Sequence, residues 1–344
     1  MRGAGLAYPS AREGDGVHAM IWRFRTGVWP VQRWVADGAV AAFVLGVGLL
    51  ITRWAGGPEP FPVTANAATA VAPSLAVHVD FVVDGTGRAV LVTSGGQATL
   101  IDGGPTAAGL QVLSLLRQDG ISALSSVVIT SAASAAVDGL GPILRGIPVG
   151  QIYDAVPGAN CAAYRRVLDV AQSGGIPVVP AARGTAVVVG GARLQVLLPA
   201  GELSHPGQLP AGPGLVALTA GGVRFLLAAT VNPLDEEQAV RLGGDLRSQV
   251  LEVPGQGGPD ALAPAFLEAV APRLAIVYEA SDQPAGSALL QRLATAGAAV
   301  LRPSLLGDLR FSVSDHGMTV SFHPGLPAVA VPTALATPGT GDAC

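Results

Sequence analysis

Five histidines, His18, His78, His205, His316 and His323, supply all the imidazole chemistry the chain has. Histidine is the commonest metal ligand and the side chain whose charge changes nearest neutral pH, so a zinc site or a general base would draw on these five. They do not cluster. His78 sits in a strand-like alternation and reads as a hydrogen-bonded strand residue, whereas His205 lies in the loop SHPGQLPAGPG. His316 falls in a hairpin turn and His323 after the strand that follows it; the two could approach one another, but a pair without a third ligand is a weak metal site. Cys161 and Cys344 cannot build a disulfide framework or a zinc knuckle, and Cys344, the last residue, reads as inert. All 20 basic residues are arginine, which excludes Schiff-base lysines and the lysine of a phosphate-binding loop. No G-x-S-x-G elbow is present to expose a serine nucleophile. Asp102 opens an Asp-Gly-Gly turn and reads as a turn residue bonding its own backbone. Carboxylates alone, such as Asp102 and Asp138, favour Mg²⁺ or Ca²⁺ over zinc.

These residues have to be positioned by a folded core, and the composition allows one. Of 344 residues 50% are hydrophobic and 13% charged, with a net charge of −4, which excludes a disordered or polybasic protein. Strand-like runs come first, at 75–83, 89–93 and 98–101, separated by Gly-rich turns. An amphipathic helix fits 107–118 and a buried strand 126–130, followed by a short helix at 141–145. Strands at 151–154, 177–180, 186–189 and 194–198 follow, with a helix at 162–172 among them. A hairpin at 215–228 turns over Gly221-Gly222, and a helix at 233–242 opens on Asp235-Glu236-Glu237, acids suited to a helix N-terminus. Strands at 250–253, 274–278 and 299–302 alternate with helices at 262–270 and 287–296, and a hairpin at 309–322 closes the domain. Hairpins followed by βα units, twice over, predict two stacked sheets with helices outside: an α/β fold, a four-layered αββα sandwich.

Ahead of this domain the pattern predicts one transmembrane helix. Gly38 to Ile51 carries no charge, Trp34 and Trp54 bracket it, and Arg33 and Arg53 stand just outside. The 21 residues from Trp34 to Trp54 would span about 30 Å as a helix, the thickness of a bilayer's hydrocarbon core. Tryptophans suit the interface, arginines snorkel, and Asp37 lies near the end of the span, where a charge costs less than at the centre. Five arginines precede the span, and after Arg53 none follows until Arg88. The positive-inside rule then places residues 1–33, His18 included, in the cytoplasm and the remainder outside it. The expected organisation is a cytoplasmic tail (1–33), a transmembrane helix (34–54), a Pro/Ala-rich linker (55–74), the folded domain (75–323) and a disordered tail (324–344).

The order of segments resembles the metallo-β-lactamase fold, most closely the C-terminal domain of ComEC-type competence proteins. VHVDFVVDGTGRAVLV (77–92) is similar to that family's first hairpin, whose turn reads VGQGDA; here the turn is Asp84-Gly85-Thr86-Gly87-Arg88-Ala89, which keeps the glycine spacing and loses the acid. ATLIDGGP (98–105), VVIT (127–130), GLGPIL (139–144), VGQIYDA (149–155), RFLLAAT (224–230), GGDLRSQVLEVPGQGG (243–258) and FLEAVAPRLAIV (266–277) resemble later landmarks. The resemblance spans roughly 75–323 and lies in structural segments, so it speaks to fold more than to activity.

The family's metal motif is H-x-H-x-D-H after a strand ending in Thr, and its side chains bind two metal ions that activate a water. In the same register this chain has Ser131, Ala133, Ala135 and Ala136 at the four ligand positions. The family's bridging Asp falls at Thr230, and its later His pair at Gly255 and Gln256. A methyl group cannot coordinate a metal, and a neutral serine is a poor ligand. Asp102, Ser131, Ser134 and Asp138 are the polar residues expected near the pocket. The expectation is therefore a non-catalytic binding or scaffold domain without cofactor, holding a protein or small molecule in an apolar pocket lined by small residues or at a sheet edge. The alternative is a metal-dependent hydrolase of phosphodiesters or similar esters, using non-standard ligands. Nucleic acid is an unfavourable partner: after residue 56 there are 14 Arg against 21 Asp and Glu, a balance of −7, and phosphate binding needs a basic groove. The membrane is the one partner expected directly, through the single N-terminal helix.

Overall fold

The computed structural model describes residues 76–85, 87–199, 213–257, 261–279, 285–315 and 317–323. The expected anchor, linker and C-terminal tail lie outside these residues, as do His18, His205, His316 and Cys344 and the side chains of Gln256 and His323. No helix of the described residues is long and apolar enough to cross a membrane.

The chain opens with three antiparallel strands, β1 (Val77–Asp84), β2 (Gly87–Ser94) and β3 (Gln97–Ile101). Helix α1 (Thr106–Gln118) leads to β4 (Ser126–Ile129), and the short helices α2 (Ser134–Val137) and α3 (Leu140–Gly146) lead to β5 (Ile152–Asp154). Helix α4 (Ala162–Ser173) precedes β6 (Val178–Pro180). A second antiparallel group follows: β7 (Ala186–Val189), β8 (Ala192–Leu198), β9 (Leu215–Ala220) and β10 (Val223–Leu227). Then α5 (Pro233–Arg241), β11 (Val250–Glu252), a 3₁₀ turn (Pro254–Gly257), α6 (Pro264–Val270), β12 (Leu274–Ile276), α7 (Ser287–Thr295), β13 (Ala299–Leu301), α8 (Pro303–Leu306), β14 (Asp308–Ser314) and β15 (Gly317–His323) complete it.

Two sheets result. The first has the order β15-β14-β1-β2-β3-β4-β5-β6 and the second β13-β12-β11-β10-β9-β8-β7. Each follows one plan, antiparallel through its hairpins and parallel where helices make the crossovers. The fold is thus mixed α/β with two sheets, consistent with a metallo-β-lactamase-like sandwich.

Three apolar layers follow from strand alternation. In β2, Val90 and Val92 point between the sheets while Ala89 and Leu91 point to the helices, so all eight residues of the strand are buried. In the inter-sheet layer Phe311 of the first sheet meets its neighbour Phe81 and, across the gap, Phe225 of the second sheet, both edge to face, with centroids 5.6 Å and 5.3 Å apart. Leu91, Leu100 and Ile129 pack on Val112, Leu116 and Tyr164 of α1 and α4. On the far side Leu226, Leu251 and Ala275 pack on Phe266, Leu289 and Leu293 of α6 and α7. Of the acids at the start of α5, Asp235 acts as expected and forms a capping box with Asn232, whereas Glu236 is fully buried and its carboxylate accepts from Leu262 N and Ala263 N, just ahead of α6.

Candidate functional site

The carboxyl ends of the parallel strands converge on a buried ionic cluster in the layer between the sheets. Arg88 of β2 shares the face of Val90 and Val92, and Glu252 of β11 shares the face of Val250, so the two side chains meet across the gap. Arg88 Nε donates to Glu252 Oε1 at 2.5 Å and Nη2 to Oε2 at 3.2 Å, a side-on fork on one carboxylate. Its Nη1 donates to Asp102 Oδ2 at 2.5 Å. Asp102 also accepts from Thr130 N at 2.7 Å and from Thr130 Oγ1 at 2.5 Å, while Ala229 N donates to Glu252 Oε2 at 3.3 Å. Arg88 is 4% exposed, Asp102 0% and Glu252 1%, so water does not screen these charges. Burial opposes the charge on Arg88, but the adjacent Glu252 and Asp102 outweigh it and leave its pKa raised.

Two hydroxyls stand beside the cluster. Tyr278, just past β12, is fully buried, and burial followed by the charge of Glu252 pushes its pKa well above the ordinary phenol value. Its Oη faces Glu252 without a well-formed hydrogen bond, and the buried Oγ1 of Thr230 has no hydrogen-bond partner among the described residues.

The residues singled out from the sequence fall around this cluster unequally. Asp102 is within it, and its turn reading needs correcting: φ is 54°, and its carboxylate bonds Arg88 and the Thr130 backbone and hydroxyl, not its own backbone. Ser131 is next to Thr130 at the rim, where its Oγ accepts from Ala133 N at 3.2 Å. Ala133 caps α2, Ala135 and Ala136 lie in it, and Ala136 O accepts from Gly103 N and Gly104 N, which ties this helix to the Asp-Gly-Gly turn. Ala136 itself packs into the helix-side core. Thr230 follows β10, and Gly255, in the 3₁₀ turn with Gln256, donates to Ala229 O at 3.3 Å. Ser131, Thr230 and Gly255 thus come to one end of the sandwich, within three residues of a cluster member along the chain.

Ser134 and Asp138 do not join them. Ser134 is exposed on the first turn of α2, and Asp138 pairs with Arg166 of α4 at 3.4 Å in an exposed ion pair. Both were expected in the pocket, but a helix begins at Ser134 and turns them toward solvent. His78 is as expected, with Nδ1 3.0 Å from Ser312 Oγ across the β1–β14 pair. Sequence reasoning missed Arg88, Glu252, Thr130 and Tyr278. Two signals were present: a basic residue where the family's first turn carries an acid, and a lone Glu in the otherwise apolar run VLEVP. The end of the sandwich expected to be apolar therefore holds buried charges.

A metal centre does not fit the residues present. Among the described residues no group of three or more His, Cys, Asp or Glu is placed to hold a metal ion. Asp102 and Glu252 have all four carboxylate oxygens engaged by Arg88, Thr130 and Ala229, Asp154 at the end of β5 is held by Tyr164 Oη and Val156 N, and a hard cation would need such oxygens free.

No protein-family model matches the chain, and no curated protein is similar to it in sequence. Solved structures of similar shape are metallo-β-lactamase fold proteins. One is the metallo-β-lactamase fold protein YhfI from Bacillus subtilis, 11% identical with a TM-score of 0.44 over 65% of this chain and 95% of that one. Another is Zn²⁺-bound PqqB from Methylobacterium extorquens, 16% identical with a TM-score of 0.41 over 62% and 85%. A diphosphatase of the PhnP family is 15% identical with a TM-score of 0.36 over 62% and 80%.

Proposed function

We propose that this chain is a membrane-anchored, extracytoplasmic domain of metallo-β-lactamase type, related to the ComEC C-terminal domain, whose metal motif has degenerated and which acts by binding a protein or small-molecule partner rather than by hydrolysis. The observation that carries the reading is the commitment of Asp102 and Glu252 to Arg88. Hydrolysis by a bound metal needs open coordination positions and ligands with free lone pairs. The residues at the motif positions, Ser131, Ala133, Ala135, Ala136, Thr230, Gly255 and Gln256, offer two hydroxyls and one amide and no carboxylate, imidazole or thiolate. A balance of −7 after residue 56 disfavours nucleic acid as the partner.

The test is the metal content of the purified full chain after incubation with Zn²⁺, Mn²⁺ and Mg²⁺ and desalting, read by mass spectrometry. The expected content is near zero for all three. One or two tightly held equivalents would overturn the reading in favour of a metal-dependent hydrolase.

A further inference from the structure

Arg88 is the one buried arginine among the described residues, and it stands in the layer that otherwise holds the aromatic and aliphatic core. Moving an ion from water into such a layer costs several kcal/mol even after relaxation. Three ions persist here because the geometry compensates them: five of the six hydrogen bonds to the two carboxylates come from Arg88 and Thr130. Arg88 and Asp102 belong to the first sheet and its following turn, Glu252 to the second. The resemblance puts an acid at the position of Arg88, and it draws the metal ligands from both sheets, at 131–136 on one side and at 230 and 255–256 on the other.

We infer that the Arg88 guanidinium is the resident cation of this end of the fold, bridging the two sheets through Asp102 and Glu252 in place of a metal ion and keeping both acids from binding one. The inference rests on the metal-free reading above. A guanidinium suits the role because it stays charged and its planar fork meets Glu252 side-on while Nη1 reaches Asp102. A metal could be lost or exchanged, whereas this cation is covalently part of β2, so the site end is closed as soon as the sheets pack.

The test is a thermal-unfolding cycle on the full chain with Arg88→Met, Glu252→Gln and the double variant, with Arg241→Met as a control. Arg241 pairs with Glu237 at 3.3 Å on an exposed face, so its loss should shift Tm by about 1 °C or less. Arg88→Met leaves two buried carboxylates uncompensated and should lower Tm by about 10 °C. The double variant should lose clearly less than the sum of the singles, because removing one acid relieves the other change. Arg88→Lys keeps the charge without the fork, and it should fall between wild type and Arg88→Met, which keeps the test informative if Arg88→Met does not fold. Additive losses, or an Arg88→Met shift no larger than that of Arg241→Met, would overturn the inference. The two readings fail separately: metal retained by the wild type sinks the metal-free reading whatever the cycle gives, and an additive cycle sinks the bridging role with the metal content still near zero.

Discussion

Thr130 and Tyr278 place hydroxyls beside the same buried charges, yet they should respond oppositely to removal. Thr130 Oγ1 donates to Asp102 Oδ2 at 2.5 Å, and bonds to a charged acceptor contribute about 1.5–3 kcal/mol. Thr130→Val, which keeps the shape, should therefore cost about 2 kcal/mol in urea unfolding. Tyr278 Oη is buried beside Glu252 without a well-formed hydrogen bond to it, so its desolvation is at best partly offset in the folded state. Tyr278→Phe should then be neutral or stabilising by up to about 1 kcal/mol; a loss larger than that would mean that the phenol bonds Glu252. The sequence made only part of this cluster legible. Asp102 stood out because Asp-Gly-Gly is a turn signature, but its link through Arg88 to the second sheet did not, because Arg88 and Glu252 are 164 positions apart and nothing local to either one names the other. The serine and aspartate at 134 and 138 misled for the converse reason: their nearness in sequence to the motif said nothing about which way a short helix would turn them.

At the scale of elements, the approach of the Asp-Gly-Gly turn to the segment before α3 sets how tightly the site end closes. A Cβ on Gly139 would lie 2.1 Å from Gly103 O and 2.7 Å from Pro105 O, against backbone that cannot swing aside. On the neighbouring hairpin, a Cβ on Gly87 would lie 2.5 Å from Ala135 O, immediately beside Arg88. Gly139→Ala should therefore push α3 away from the Asp102 turn and cost about 3 kcal/mol. Gly286→Ala is the comparison: that Cβ meets nothing within 4 Å at the start of α7, and the loss should stay under about 1 kcal/mol. Equal losses in the two variants, measured by denaturant unfolding, would show that the close approach is not tight in solution. Strands and the longer helices were readable because their periods run for several residues and Gly pairs mark the turns. The four-residue helices α2 and α8 and the 3₁₀ turn at Pro254–Gly257 were not, because four residues hold barely one helical turn and no apolar period can be recognised in it.

For the whole molecule, the hairpins and βα units forecast two sheets between helical layers, but not which distant strands would join. The first sheet closes by pairing β1 with β14, from Val77 against Val313 to Phe81 against Leu309, and alternation alone cannot choose such a partner. Once closed, the domain has its hydrophobic faces paired in three layers, and the sequence after residue 56 is net acidic, a balance that disfavours attraction to an anionic surface. On the proposed reading, membrane attachment comes from residues 34–54, where Gly38 to Ile51 carries no charge between two tryptophans and two arginines. The five arginines ahead of that stretch would set its direction, with the positive flank on the cytoplasmic side. The full chain should therefore remain with membranes through an alkaline carbonate wash, and deletion of 34–54 should release it. In spheroplasts, protease added from outside should digest a C-terminal epitope while an N-terminal one survives until lysis. Release of the full chain by carbonate would remove the anchor from the proposal. Protection of the C-terminal epitope in intact spheroplasts, with the chain still membrane-bound, would reverse the orientation and place the Arg88 end of the sandwich among cytoplasmic partners.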